Sequence, residues 1–97
     1  MGFLDKLFGG GKGNATMTAQ EAVDEMLVLY DNPDVKSEGG ISVTSRQATE
    51  IRDIGRRLHK SGGKPSMEEA RDALRARLPW ATQNLEAIWA GTKEWQN

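Results

Sequence analysis

The chain has 97 residues, 37% of them hydrophobic and 28% charged, with a formal net charge of −1 and no cysteine. That length suits one domain with a modest core, the composition is that of a globular protein in water, and the missing thiols exclude disulfides, cysteine nucleophiles and cysteine-ligated zinc. No apolar run approaches the roughly 18 residues of a membrane span, and the first residues lack the apolar core and cleavage site of a signal peptide, so a cytoplasmic setting is expected.

The first element is MGFLDKLF. Phe3, Leu4, Leu7 and Phe8 fall on one face of a helix, with Asp5 and Lys6 off it. Residues 1–8 are therefore expected to form an amphipathic segment. GGGKGN follows, and glycine loses the most freedom on ordering, so residues 9–16 read as a flexible linker. The body of the protein is expected to be a helical domain over 17–97.

Within that body the first helix is expected over about 18–30. Thr18 and Glu21 have capping-box spacing, and Ala22, Val23, Met26, Leu27 and Tyr30 make the apolar stripe. Pro33 disfavours the α region at Asn32, so 31–43 reads as a loop that bends at Gly39-Gly40, with Ile41 and Val43 tucked onto the core. A second helix is expected over 45–60, capped by Thr44 with Gln47 and buried through Ala48, Ile51, Ile54, Gly55 and Leu58. SGGKPS then interrupts the pattern. Ser66 and Glu69 form an S-x-x-E box for a third helix over 66–78, with Met67, Ala70, Ala73, Leu74 and Leu78 inward and Pro79 as its stop. A fourth helix is expected over 80–95, where Ala81, Leu85, Ile88, Thr92 and Trp95 recur at helical intervals beside Trp89. Gly91 lies inside this pattern. It implies either close packing of a neighbouring helix, the favoured reading, or a helix end after which Trp95 folds back. No strand alternation is present, so the class is all-α: a small four-helix domain with a flexibly tethered N-terminal segment.

The second half, EIRDIGRRLHKSGG followed by a Met-led helix and LEAIWAGTKEW, resembles a group of small bacterial helical proteins of unknown function. Their pattern is an I-G-x-x-L-x-x-x-G-G helix end and an L-E-x-x-W-x-G-x-x-x-W tail. It is matched by Ile54, Gly55, Leu58, Gly62, Gly63, Leu85, Glu86, Trp89, Gly91 and Trp95, and departed from at Ala90, where the group has an acidic residue. The resemblance implies a bacterial origin and a helical hairpin ended by a Trp-rich helix. The group has no assigned activity, so the resemblance transfers no site.

Catalysis requires converging reactive groups, and none is apparent. His59, the single histidine, sits among basic residues at a helix C-terminus, where the dipole favours it as a solvated side chain. Asp24, Glu25, Glu68, Glu69 and Asp72 fall on first turns or polar faces. GGGKG lacks the strand and the K-[ST] of a phosphate-binding loop. No catalytic residue, metal site or cofactor is expected, and the chain is read as no enzyme.

Two kinds of contact surface remain. Residues 46–77 carry 9 basic and 5 acidic side chains, against 3 basic and 7 acidic over 1–45. Arg52, Arg56 and Lys60 align on one helix face, and Arg71 and Arg75 on the next. Such stripes can neutralise phosphates, although acidic residues interrupt them and no Asn or Gln is placed to read bases. The SGGKPS connector is also longer than the turn of a helix-turn-helix. Against this stand the apolar candidates Phe3, Leu4, Leu7 and Phe8, with Trp80 and Trp95 as partner contacts if they are exposed rather than packed at the boundary. Lys6 occupies the position where a myristoylation motif requires Ser or Thr. The amphipathic segment has three possible destinations: a groove of its own domain or of another copy, a groove on a partner protein, or a membrane interface. The expectation is a non-enzymatic protein-interaction module, cytoplasmic or peripheral to the inner face of the membrane, docking through its N-terminal peptide. The alternative is a nucleic-acid-binding module using the basic face of residues 46–77.

Overall fold

The computed structural model describes residues 17–96. They form six α-helices and a 3₁₀ turn, with no strand among the described residues: α1 (Ala19–Tyr30), α2 (Pro33–Glu38), α3 (Arg46–Gly62), α4 (Lys64–Arg77), the 3₁₀ turn Pro79–Ala81, α5 (Thr82–Trp89) and α6 (Lys93–Gln96). The all-α class expected from periodicity holds, with more pieces than the four-helix reading.

The first helix starts where its capping box requires. Thr18 Oγ1 accepts from the Glu21 amide at 3.1 Å, and the Thr18 amide donates to Glu21 Oε1 at 2.9 Å. Met17 ties this start to the far end of α3, its amide donating to Ser61 Oγ at 2.6 Å. The expected loop over 31–43 contains α2, because the proline that stops α1 is itself a good first residue of a helix. Asn32 caps it by accepting from the Asp34 amide at 2.8 Å, and Gly39 ends it at φ +81°. Val35 and Ile41 are buried from this segment, while Val43, expected to tuck inward, is exposed.

Two caps differ from expectation. The N-cap of α3 is Ser45, whose Oγ accepts from the Ala48 amide at 3.2 Å, rather than Thr44. The next helix, α4, starts two residues earlier than its S-x-x-E box suggests, because Pro65 is accommodated in the first turn, so Ser66 lies inside the helix. The connector between α3 and α4 is thereby reduced to Gly63, at φ +74°, whose amide donates to the His59 carbonyl at 2.7 Å. A helix-turn-helix needs about three or four residues there; this is a tight hairpin instead.

The helix expected over 80–95 is broken. Gly91 lies in a turn over 90–92, held by the Thr92 amide on the Trp89 carbonyl at 2.8 Å. A Cβ on Gly91 would meet nothing nearer than 3.5 Å, so no neighbouring helix packs closely on it. Thr92 redirects the chain: its hydroxyl donates to the Trp89 carbonyl at 2.7 Å and accepts from the Trp95 amide at 3.2 Å. Trp95 is thus folded back.

The central element is α4, which packs against α1, α3, α5, α6 and the 3₁₀ turn. The core joins Val23, Met26 and Tyr30 of α1, Ile51, Ile54 and Leu58 of α3, Met67, Ala70 and Leu74 of α4, and Leu85, Ile88 and Trp89 of α5. Each large member contributes about 1.5–3 kcal/mol on burial. Inside this core the close approach is at Gly55, where a Cβ would stand 2.6 Å from Trp89 Nε1 and 3.0 Å from Met67 Cε. That indole N–H donates to the Ile51 carbonyl at 2.9 Å, so the ring has little freedom to retreat. Gly55→Ala is therefore expected to destabilise the protein by about 1–3 kcal/mol through overpacking, despite the gain of about 1 kcal/mol that alanine brings to an open helix. Urea unfolding of the two proteins checks this; an unchanged or higher midpoint would show that Trp89 does not lie on Gly55.

Candidate contact surfaces

Five consecutive apolar residues, Met26-Leu27-Val28-Leu29-Tyr30, cannot all face inward on a helix that turns about 100° per residue. Met26 and Tyr30 are buried, Leu27 and Leu29 are half-buried, and Val28 is left 74% exposed. To one side of Val28 a groove of about 630 Å³ lies between α1 and α3. Its apolar lining is Val28, Leu29 and Ile54, and its charged rim is Glu25, Glu50, Asp53, Arg56 and Arg57. Arg57 joins the two helices there, 3.3 Å from Glu25 and 3.3 Å from Asp53. To the other side a hollow of about 330 Å³ is lined by Leu27, Tyr30, Lys36 and Leu78, among others.

Trp80 follows Pro79 in the 3₁₀ turn. It stands edge-on to Tyr30 with ring centroids 5.8 Å apart, remains 43% exposed, and borders a further hollow with Lys36 and Gly39. Its support is polar. The Tyr30 hydroxyl donates to Asn84 Oδ1 at 2.8 Å, the same oxygen accepts from the Ile41 amide at 2.9 Å, and Asn84 Nδ2 donates to the Ile41 carbonyl at 2.9 Å. One side chain of α5 thus fixes the end of α1 and the chain after α2. Gly40, at φ +152°, lets that chain approach, since a Cβ there would stand 2.8 Å from Asn84 Cγ.

Trp95 is elsewhere and half-buried. Its ring lies 5.3 Å from that of Trp89, with Lys64 Nζ at 5.2 Å and the Arg71 guanidinium at 5.6 Å from its centroid. Trp95 therefore sits against the N-terminal half of α4, and Trp80 beyond its C-terminal end. The two tryptophans do not form one patch.

The basic candidates are drawn into the domain's own contacts. Arg52 donates to the Val43 carbonyl, and Arg56 lies 3.8 Å from Glu94. Arg71 is paired with Asp72 at 2.9 Å and Glu86 at 3.2 Å, and Arg75 is 3.7 Å from Asp72. Burial lowers the Arg71 pKa, but hydrogen bonds and charge from Asp72 and Glu86 outweigh it and hold the pKa above its ordinary value. Lys60 makes no ion pair among the described residues. One residue of each stripe meets α6, which packs on both α3 and α4: Arg56 faces Glu94, and Arg71 lies over Trp95. His59 is half-buried in the last turn of α3, and among the described residues no three His, Asp or Glu side chains are grouped so as to hold a metal ion.

Phe3, Leu4, Leu7 and Phe8, with the segments 1–8 and 9–16, lie outside the described residues. No described helix is long and apolar enough to cross a membrane. The sequence reading missed Val28 as a surface residue, although the run MLVLY is itself a signal, and it missed Asn84, whose role depends on partners 54 and 43 positions away. Comparison with known proteins finds no match: no family model, no curated protein and no solved structure aligns with the chain.

Burial pushes the phenol of Tyr30, the single tyrosine, well above its ordinary pKa of 10.0. A group held protonated in the folded state stabilises fully below its unfolded pKa and loses that contribution as pH rises toward the folded value. Stability is therefore expected to fall from about pH 10 upward. Tyrosinate absorbance should appear together with unfolding rather than before it, and Tyr30→Phe should flatten the alkaline decline. Free titration of Tyr30 near pH 10 in the folded protein would contradict its burial.

Proposed function

We propose that the protein is a non-enzymatic helical interaction module that works by contact. Its N-terminal amphipathic peptide, through Phe3, Leu4, Leu7 and Phe8, docks on a partner protein or a membrane surface, and Trp80 is a second contact. The setting proposed is the bacterial cytoplasm or the inner face of the membrane. The observation that carries this reading is apolar surface held on a braced frame: Val28 and Trp80 stay exposed while Tyr30 and Asn84 fix the backbone beneath Trp80. An aromatic side chain kept half in water at low entropic cost is the usual form of an interface anchor. The Trp95 half of the aromatic proposal has less support, because Trp89, Lys64 and Arg71 already cover part of that ring.

The nucleic-acid alternative, through Arg52, Arg56, Lys60, Arg71 and Arg75, is the weaker one. Four of these five cations already have partners within the domain, and each would have to leave its partner to neutralise a phosphate.

Leu7→Asp and Trp80→Ala in the full chain separate these readings. Loss of one buried leucine, about 1.5–3 kcal/mol, corresponds to roughly a tenfold to hundredfold weaker binding. Capture of partner from native extract, or sedimentation with anionic vesicles, should fall by that amount in Leu7→Asp. It should change little as salt is raised from about 50 to 200 mM, whereas phosphate binding weakens steeply over that range. Equal capture and equal sedimentation by the parent and both variants would remove the proposal.

A further inference from the structure

The groove between α1 and α3 is apolar along Val28, Leu29 and Ile54, charged at its rim, and filled by no described residue. We propose that its occupant is the protein's own residues 3–8, parked there in cis and released when the partner or membrane surface competes for them. This rests on reading those residues as a docking peptide, and adds to it a resting site and therefore a form of autoinhibition.

Reach permits it. The described chain starts at Met17, fastened to Ser61 at the end of α3. From there to Val28 is 11 positions along α1, about 16 Å at the rise of a helix. The eight residues 9–16 span up to roughly 26–29 Å when extended. The tether is therefore long enough to bring Phe8 back to the groove with slack for a turn.

Size and chemistry agree. The α3 side of the groove runs from Thr49 to Arg57, about 12 Å of helix, and six residues at helical spacing occupy about 9 Å. Phe3, Leu4, Leu7 and Phe8 can then face Val28, Leu29 and Ile54 together. Asp5 and Lys6 fall off that face and meet a rim of both signs, Arg56 on one hand and Glu50 and Asp53 on the other. A tether of eight residues holds the peptide at high effective concentration, so a weak contact is enough to populate the docked state. The ordering entropy of the tether keeps that contact weak and reversible. The exposed apolar surface of Val28 is then sheltered whenever no partner is present.

The chain has no cysteine, so Asp5→Cys gives a single attachment point for a nitroxide on the polar side of the segment. In the full-length, nitrogen-15-labelled protein, the amides of Val28, Leu29, Glu50 and Asp53 should lose most of their signal. Those of Gln83 and Ala87, on the exposed side of α5, should keep theirs. Val28→Glu should restore the groove signals while leaving the helical circular dichroism unchanged. Uniform broadening, no broadening at the groove, or broadening that survives Val28→Glu would overturn the proposal. So would groove broadening in a mixture of spin-labelled and isotope-labelled molecules, since the occupant would then be a second copy. Capture that depends on Leu7 without groove broadening would leave the docking-peptide reading standing and sink the parked state. Groove broadening with capture indifferent to Leu7→Asp would do the reverse.

Discussion

The packing of Trp89 across Gly55 is the contact on which the helical arrangement depends. An indole can lie directly on a helix only where the position beneath it has no side chain, and Gly55 is that position on α3. The ring then does two things at once. Its N–H satisfies the Ile51 carbonyl, its nitrogen edge stands over Gly55 where Met67 of α4 also approaches, and its centroid lies 5.3 Å from that of Trp95 of α6. Three helices are thus set around one ring, and an interior packed at crystal-like density gives such an arrangement little room for alternatives.

A second constraint acts at the other end of α4. Asn84 is a polar group in a largely apolar environment, and such groups stabilise only when their hydrogen bonds are met. Here the amide is used on both sides, by Tyr30 and by the backbone of Ile41. The result is directional in a way that apolar contact is not: it fixes where α1 ends and where the chain returns after α2. Trp80 rests on Tyr30, so a surface aromatic is oriented by a hydrogen bond it does not itself make.

Charge is handled differently from what the basic block over 46–77 suggests. Most of its arginines bridge elements or cover aromatic faces: Arg57 spans α1 and α3, and Arg71 joins α4 to Glu86 of α5 while lying over Trp95. Such partly exposed pairs contribute little individually, of the order of 0–1 kcal/mol. Their consequence is spatial: Arg56, Arg57 and Arg71 each face an acid of a neighbouring element, Glu94, Glu25 and Glu86, so this charge is met within the domain.

The sequence by itself determined the helical class, the start of α1 at Thr18 and the inward faces of α1, α3, α4 and α5, because periodicity and capping depend on residues within a few positions of one another. It was ambiguous wherever two local signals competed. Pro33 both stops a helix and starts one, Pro65 allowed α4 to begin before its serine, and Gly91 was compatible with a packed helix or a broken one. Only the tertiary structure decided these, along with the groove beside Val28, the clasp at Asn84, and the separation of Trp80 from Trp95. Each depends on contacts between residues tens of positions apart, and a pattern repeating every three or four residues says which face of a helix is apolar without saying how much of that face a neighbour will cover.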